Sequence, residues 1–373
     1  MTADRAAQTR LHALDGIRGV AATVVLVHHT LLTFPTFASI QYGAPPQGAM
    51  SAALTHSPLH LVWAGPEAVL VFFVLSGLVL SAAADQRAGF SWTAYYPSRL
   101  VRLYLPVIVA VALAVLAHAW VSDAPGPDSV WLEVRARPVT TDRVLGDLTL
   151  LAGSTGVLSP LWSLRWEIWF SLLLPAFLLL PKRRLASAVA ALSLLACAAA
   201  GVLTAEPALQ FLPVFGLGVL LWRHRALTLE GQDWPAGATA AAGACAALLL
   251  TAPWHLGAGI DGRPADALAY VMALLGAVLV ILVGQRCTWC RIHLSSPTSQ
   301  WLGKISFSLY LVHEPVVVAF ARWWGPSVGT AVAGIAVSLL TGWLFYLLVE
   351  RRSHRWARRV HRVMSTRTVG TAG

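Results

Sequence analysis

Ten stretches of this chain are apolar over lengths close to the ~20 residues a helix needs to cross a bilayer. They fall at roughly 14–34, 60–84, 103–121, 166–180, 185–203, 207–222, 236–253, 265–284, 303–322 and 327–349. Backbone placed in hydrocarbon must satisfy its own N–H and C=O groups, and runs of this length do so as helices. The expected fold class is all-α, a polytopic transmembrane helical bundle of about ten spans. Composition agrees, with 57% hydrophobic and 12% charged residues and a mean hydropathy of +0.66. A soluble domain carries about twice that charge. The 373 residues would suit two soluble domains by length, but the hydropathy makes them one bundle.

Orientation follows from the basic residues. With the N-terminus inside, the inside segments hold 21 of the 27 Lys and Arg, and the outside ones hold only Arg135, Arg137, Arg143, Arg165, Arg263 and Arg322. Cytoplasmic loops carry the excess of Lys and Arg, so both termini are expected to be cytoplasmic. The chain then divides into a cytoplasmic N-terminal segment (1–13), a transmembrane domain (14–349) and a basic cytoplasmic tail (350–373), in a multi-pass protein of the cell (plasma) membrane. The net charge of +10 is distributed over alternate loops, which argues against a nucleic-acid partner; the tail suits anionic lipid headgroups. The first run lacks a small-residue cleavage site and is not expected to be a removed signal peptide. One long outside segment, 122–165, holds Asp123, Asp128, Glu133, Asp142 and Asp147. Long loops are often functional, so it is either a lid or acceptor-binding element, or a connector.

Polar residues inside the apolar runs carry the functional information. In LDGIRGVAATVVLVHHT (14–30), Arg18 and His29 are eleven residues apart. At ~100° per residue that is within roughly 20° of three turns, so both share a helix face. At ~1.5 Å per residue they lie about 16 Å apart, which puts His29 near mid-bilayer if Arg18 is at the surface. Asp15 lies within about 60° of that face and His28 about 80° away. An intramembrane histidine is costly and faces a cavity or a partner; a packing role on a neighbouring helix is the alternative.

Further polar groups follow. Ser76-Gly77 permits close helix approach, and Glu67 opens the same span. Arg99 and Arg102 are neighbours on a helix face. At a cytoplasmic helix start they would clamp phosphates or anchor on lipid headgroups. Ser163 and Glu167 share a face, and a carboxylate just inside an apolar span needs a partner or a purpose. Trp162, Trp166 and Trp169 fit an interfacial belt. Ser306, Tyr310 and His313 form one stripe at i, i+4, i+7, with Pro315 as a kink. Cys197 and Cys245 read as small hydrophobes; Cys287, Cys290 and His293 are an incomplete zinc set, so no metal is expected.

These motifs resemble, in order, those of the membrane-bound acyltransferase-3 family. They are Arg18 and His29 with ten residues between; FFxLSG at Phe72, Phe73, Leu75, Ser76 and Gly77; RxxR at Arg99 and Arg102; and WSL with a following Glu at Trp162, Ser163, Leu164 and Glu167. The G-x-x-S-x-x-x-Y-x-x-H-x-P motif matches at Gly303, Ser306, Tyr310, His313 and Pro315, and a final Glu at Glu350. The proline that often follows that Glu is absent. The resemblance implies an O-acyltransferase that moves an acyl group, usually acetyl, from acyl-CoA (acetyl-CoA) as co-substrate to a hydroxyl-bearing carbohydrate or metabolite. Surface polysaccharide sugars and macrolides are among the family's acceptors. It implies His29, Glu167 and His313 as catalytic residues, with Glu167 paired to His29. Arg18, Arg99 and Arg102 would hold the CoA phosphates, and Asp15, Ser76, Ser163, Ser306 and Tyr310 would support. Neutral imidazole suits the task of accepting an alcohol proton near neutral pH. An acyl-histidine intermediate is the alternative to direct attack. A different class, a proton-coupled transporter of an anionic small molecule, uses the same residue types; the inverted repeats that would favour it are not evident.

Overall fold

The computed structural model describes residues 3–85, 90–121, 124, 129–150, 156–256 and 263–370. All regular structure among them is helical. In chain order the helices are α1 (Ala3–Leu31), α2 (Pro35–Gln41), α3 (Ala49–Thr55), α4 (Gly65–Asp85), α5 (Trp92–Val121), α6 (Val130–Arg135), α7 (Thr141–Thr149), α8 (Leu161–Phe177) and α9 (Arg184–Thr204). They continue with α10 (Pro207–Arg223), α11 (Arg225–Thr228), α12 (Ala236–Leu256), α13 (Arg263–Arg286), α14 (Thr288–Leu294), α15 (Pro297–Trp324), α16 (Val328–Phe345) and α17 (Arg351–Gly370).

Among the described residues, seven helices are long and apolar enough to cross a membrane. An eighth results if α1 and α2, bent by 112°, form one broken span. That break sits at Pro35: Phe34 before it is extended (φ −81, ψ 130), as the clash with a following proline ring requires. Helices α8 and α10 also coincide with expected spans, at 17 residues each.

The boundaries differ from the sequence reading in three places. Helix α1 runs unbroken from Ala3, and a π turn (Tyr346–Glu350) leads from α16 into α17, so neither residue 14 nor residue 349 is a helix end. Helix α5 begins at Trp92, about ten residues before the expected start. Pro97 and Pro106 both lie within it. Pro106 has no N–H for the carbonyl of Arg102; the Ser353 hydroxyl of α17 supplies a donor there, to Val101 O (3.0 Å) and Arg102 O (3.2 Å). The 122–165 segment is also no plain connector, since it carries α6 and α7. Asp123 and Asp128 lie outside the described residues, while Asp147 is fully buried and accepts from the Leu158 N–H at 2.9 Å.

The chain forms two compact units. The first comprises Met1–His28, Pro45–Ala83 and Leu173–Lys304; the second comprises His29–Ala44, Ala84–Leu172 and Ile305–Gly373. Within the first, glycines set how closely helices approach. A Cβ on Gly77 of α4 would stand 2.0 Å from Phe215 O of α10, and one on Gly218 of α10 would stand 2.0 Å from Val74 O. The two backbones touch, as small-residue packing permits in membranes. A Cβ on Gly19 of α1 would likewise meet Gly303 N of α15 at 2.5 Å. In the second unit, Gly342 of α16 packs on Leu309 of α15, where a Cβ would sit 3.1 Å from the Leu309 Cα.

Gly77→Val is expected to separate α4 from α10 and destabilise the protein by roughly 1–3 kcal/mol or more, the range for overpacking. Gly237→Ala, where a Cβ finds nothing within 4 Å, is expected to leave the thermal midpoint unchanged or raised. Midpoints measured on the purified variants check the pair; equal midpoints for Gly77→Val and wild type would contradict the close packing.

Candidate active site

The second unit gathers most of the singled-out polar side chains. Its centre is a hydrogen bond between two histidines: His29 Nδ1 lies 2.7 Å from His313 Nε2. The rings are nearly parallel, 9° apart, with centroids separated by 5.0 Å, the arrangement of an edge-to-edge bond rather than of stacked faces. Helix registry brings them level. Each histidine lies ten residues beyond its glycine in the close α1–α15 contact, Gly19 to His29 and Gly303 to His313. Equal counts on two helices give equal rises of ~15 Å.

The hydrogen bonds fix the protons of a neutral pair. His313, fully buried, places Nδ1 2.8 Å from Leu309 O. A carbonyl only accepts, so Nδ1 carries the proton and Nε2 is the acceptor. His29 Nδ1–H must then donate to His313 Nε2. This leaves His29 Nε2 with a lone pair, the property a general base needs. Its neighbour His28 turns into the first unit, where Nδ1 donates to Trp63 O at 2.8 Å and the ring stacks on Trp63. The ~100° between consecutive helical residues thus separates a structural histidine from the one in the cluster.

Helix α6 covers His29. Ser129 caps it, accepting from the Leu132 N–H (3.2 Å) and donating to Leu32 O (3.0 Å). The buried Trp131 ring stacks on His29 with centroids 5.4 Å apart. The Arg135 guanidinium lies 4.0 Å from the Trp131 ring centroid. Its Nε donates to Glu314 Oε1 at 2.8 Å. The other carboxylate oxygen of Glu314 accepts from the Ser159 N–H (2.8 Å) and hydroxyl (2.7 Å). The buried Glu314 charge is therefore paired and hydrogen-bonded, as a buried carboxylate must be. Helix α6 is thus tied through Arg135 to the residue next to His313.

The remaining expected residues are placed as follows. Ser163 and Tyr310 hydroxyls bond at 2.7 Å, with Ser163 also donating to Pro160 O. Ser306, on the same helix, is buried. The partner the structure gives Glu167 is Arg99, whose Nη2 donates at 2.6 Å while Nε donates to Ser171 Oγ at 3.2 Å. The structure gives Glu167 an ion pair with Arg99 and His29 a hydrogen bond to His313. The reason is the early start of α5: Arg99 lies two turns inside that helix, on a face turned to α8. It is not at a helix N-terminus. Arg102, one turn further on, is exposed. Asp15 (exposed), Arg18 and Ser76 (both half-buried) belong to the first unit. Cys287 caps α14 by accepting the Cys290 N–H at 3.1 Å. Burial, and then Cys287, push the Cys290 thiol up to about 12, far from a reactive thiolate.

Trp131, Arg135, Ser159 and Glu314 were not singled out in the sequence. Glu314 adjoins His313 within an apolar span, where any carboxylate needs a partner; that signal was there to be read. Its partners lie more than 150 residues away in the chain, and nothing local marks them.

A hydrogen-bonded histidine pair on apolar helices suits several kinds of proton chemistry. The comparisons narrow this. A family model described as an acyltransferase domain matches residues 11–347, and the chain belongs to that acyltransferase-3 family. It is a multi-pass membrane enzyme, an acyltransferase transferring groups other than aminoacyl groups. It is similar to "Acyltransferase MdmB" of Streptomyces mycarofaciens, with 28% identity over 375 residues covering 91% of each chain. No solved structure matches it.

Breaking the Arg135–Glu314 pair from one side strands a buried charge, which typically costs 3–5 kcal/mol. Arg135→Met is therefore expected to lower stability by about that much. The double variant Arg135→Met/Glu314→Gln is expected to recover part of the loss. A double-mutant cycle on unfolding midpoints checks this; additive single effects would contradict the coupling.

Proposed function

We propose that the protein is an integral membrane O-acyltransferase that moves an acyl group, acetyl in the simplest case, from acyl-CoA to a hydroxyl. The acceptor hydroxyl belongs to a sugar, a surface polysaccharide, or a glycosylated or macrolide metabolite. The observation that carries this reading is the 2.7 Å hydrogen bond of His29 Nδ1 to the buried His313, whose own Nδ1 is held on Leu309 O. The full-length match to the acyltransferase family supports it.

In this reading His29 Nε2 takes the proton of the acceptor hydroxyl as its oxygen attacks the thioester carbonyl. The C–O bond forms, the C–S bond breaks, and the imidazolium returns the proton to the departing thiolate, releasing free CoA. His313 holds the ring of His29 and accepts its Nδ1–H throughout, the orienting role that a carboxylate fills in other acyl-transfer sites. Trp131 stacks on one face of the ring. Arg18, Arg99 and Arg102 bind the CoA phosphates. Arg99 does so with the N–H groups left over from Glu167 and Ser171, since a guanidinium has five donors. Glu167 acts by positioning Arg99, and Tyr310, Ser163 and Ser306 support the His313 helix. The chain spans the plasma membrane ten times with both termini in the cytoplasm, so the donor approaches from the Arg18 side.

Thiol release from acetyl-CoA by purified protein, with a panel of sugar and macrolide alcohols, tests the reading. Release is expected to need an acceptor. His29→Ala is expected to lower it 10²–10⁴-fold, the usual weight of a general base, and His313→Ala to lower kcat with KM for acetyl-CoA little changed. Acceptor-independent release would mean hydrolysis. A hydroxylamine-sensitive acyl adduct on His29 would replace direct transfer by a covalent route, and absence of any CoA binding would overturn the assignment.

A further inference from the structure

Four of the six arginines expected outside, Arg135, Arg137, Arg143 and Arg322, gather at one end of the second unit. The first three line a cavity of about 30 Å³, together with His118 of α5 and Glu314 of α15. His118 also faces Arg322, whose Nη2 donates to Ala124 O at 3.2 Å. Among the lining residues Glu314 is the one carboxylate, and its two oxygens already accept from Arg135 and Ser159. Glu133 and Asp142 are exposed and do not line the cavity. Arg143 Nη1 donates to Arg137 O (3.1 Å) and Pro138 O (2.6 Å), which fixes the loop that carries Arg137. The Arg137 side chain is exposed and makes no hydrogen bond or ion pair among the described residues. The depth of the cavity follows from α5. Sixteen residues separate His118 from Arg102, ~24 Å of helix against ~30 Å of hydrocarbon. The cavity therefore lies toward the membrane surface opposite Arg102. Trp120, just beyond His118, and Trp323, next to Arg322, are exposed with ring centroids 6.0 Å apart; tryptophans so placed sit at headgroup level.

We propose that this cavity binds the phosphate monoester of a molecule lying at the membrane surface. One water needs ~10–15 Å³ of such space, so about two oxygens fit, the head of a ligand rather than a whole metabolite. Three guanidiniums face a single carboxylate in the lining, an excess of positive charge. A phosphate monoester carries nearly two negative charges and three acceptor oxygens, which meets that excess; a carboxylate brings one charge and two oxygens. Guanidinium forks bond phosphate oxygens two at a time. Arg137 is the arginine that can do so without giving up another partner. A membrane lipid with a terminal phosphate and a phosphorylated acceptor present the same group. That this surface is the outer one rests on the orientation proposed above; the binding site does not.

Photo-crosslinking of the full-length protein in phosphatidylcholine nanodiscs tests the site. The probe is dodecyl phosphate with a diazirine near its phosphate end, compared with dodecanoate and dodecanol carrying the same group. The phosphate is expected to label peptides of α5, α6 and α7 roughly tenfold more than the other two, the weight of a hydrogen bond to a charged group. Arg137→Glu is expected to lower labelling by roughly tenfold or more with the unfolding midpoint near wild type, since that side chain holds nothing in the fold. Val157→Asp, which puts a carboxylate on the lining, is expected to abolish labelling by a second route. His29→Ala is expected to label like wild type, so failure of this site is distinct from failure of acyl transfer. Displacement of the probe by phosphatidic acid in the disc would assign the phosphate to a lipid, and displacement by glucose 1-phosphate to a phosphorylated acceptor; both support the site. Equal labelling by dodecanoate or dodecanol, displacement by neither phosphate, or labelling unchanged in both Arg137→Glu and Val157→Asp would each overturn the proposal.

Discussion

The bond between His29 and His313 is the contact to which the polar structure of the second unit answers. Two imidazoles can share one hydrogen bond only if one nitrogen donates and the other accepts. The choice here is made by a third atom, Leu309 O, which can only accept the His313 Nδ1 proton. Everything else follows in sequence. His313 is the acceptor, His29 Nδ1 is the donor, and His29 Nε2 keeps its lone pair. A single backbone carbonyl on the preceding helical turn thus sets which atom of a residue nearly 300 positions away can take a proton.

Such a bond is stable only if both rings are held. Helix packing does part of this through glycines that let α1 and α15 approach backbone to backbone. Helix α6 and its contacts do the rest. Trp131 lies on the His29 ring, Arg135 on Trp131, and Glu314 ties Arg135 to the helix that carries His313. The ring of His29 is therefore stacked on one face and bonded at its Nδ1 edge. The Glu314 carboxylate also explains how Arg135 can lie beside the buried Trp131: its charge is matched by Glu314, whose other oxygen accepts from Ser159.

The sequence carried the helices well and their partners poorly. Apolar runs mark spans because a bilayer imposes one length on all of them, and each of the ten expected runs coincides with a helix. Periodicity also separated His28 from His29 and aligned Ser306, Tyr310 and His313. Its failures were at the ends and across the fold. YYPSRLVR stands at a helix start in the expected span map, yet it lies inside α5, which begins at Trp92. That shift of about ten residues carried Arg99 from a helix start into an ion pair with Glu167. The His29–His313 and Arg135–Glu314 pairs were out of reach because a face can be counted from one helix, whereas which face meets which depends on packing. Arg135 in particular looked like one of six stray outside charges.

The proton assignment is the claim on which the proposed chemistry stands, and nitrogen NMR of the protein labelled with ¹⁵N-histidine tests it most directly. At neutral pH the account requires both His29 and His313 to be protonated on Nδ1 and bare on Nε2, with a scalar coupling across the bond between His29 Nδ1 and His313 Nε2. A protonated His29 Nε2, or no coupling between the two rings, would show that the pair is not arranged to leave a base facing the acceptor.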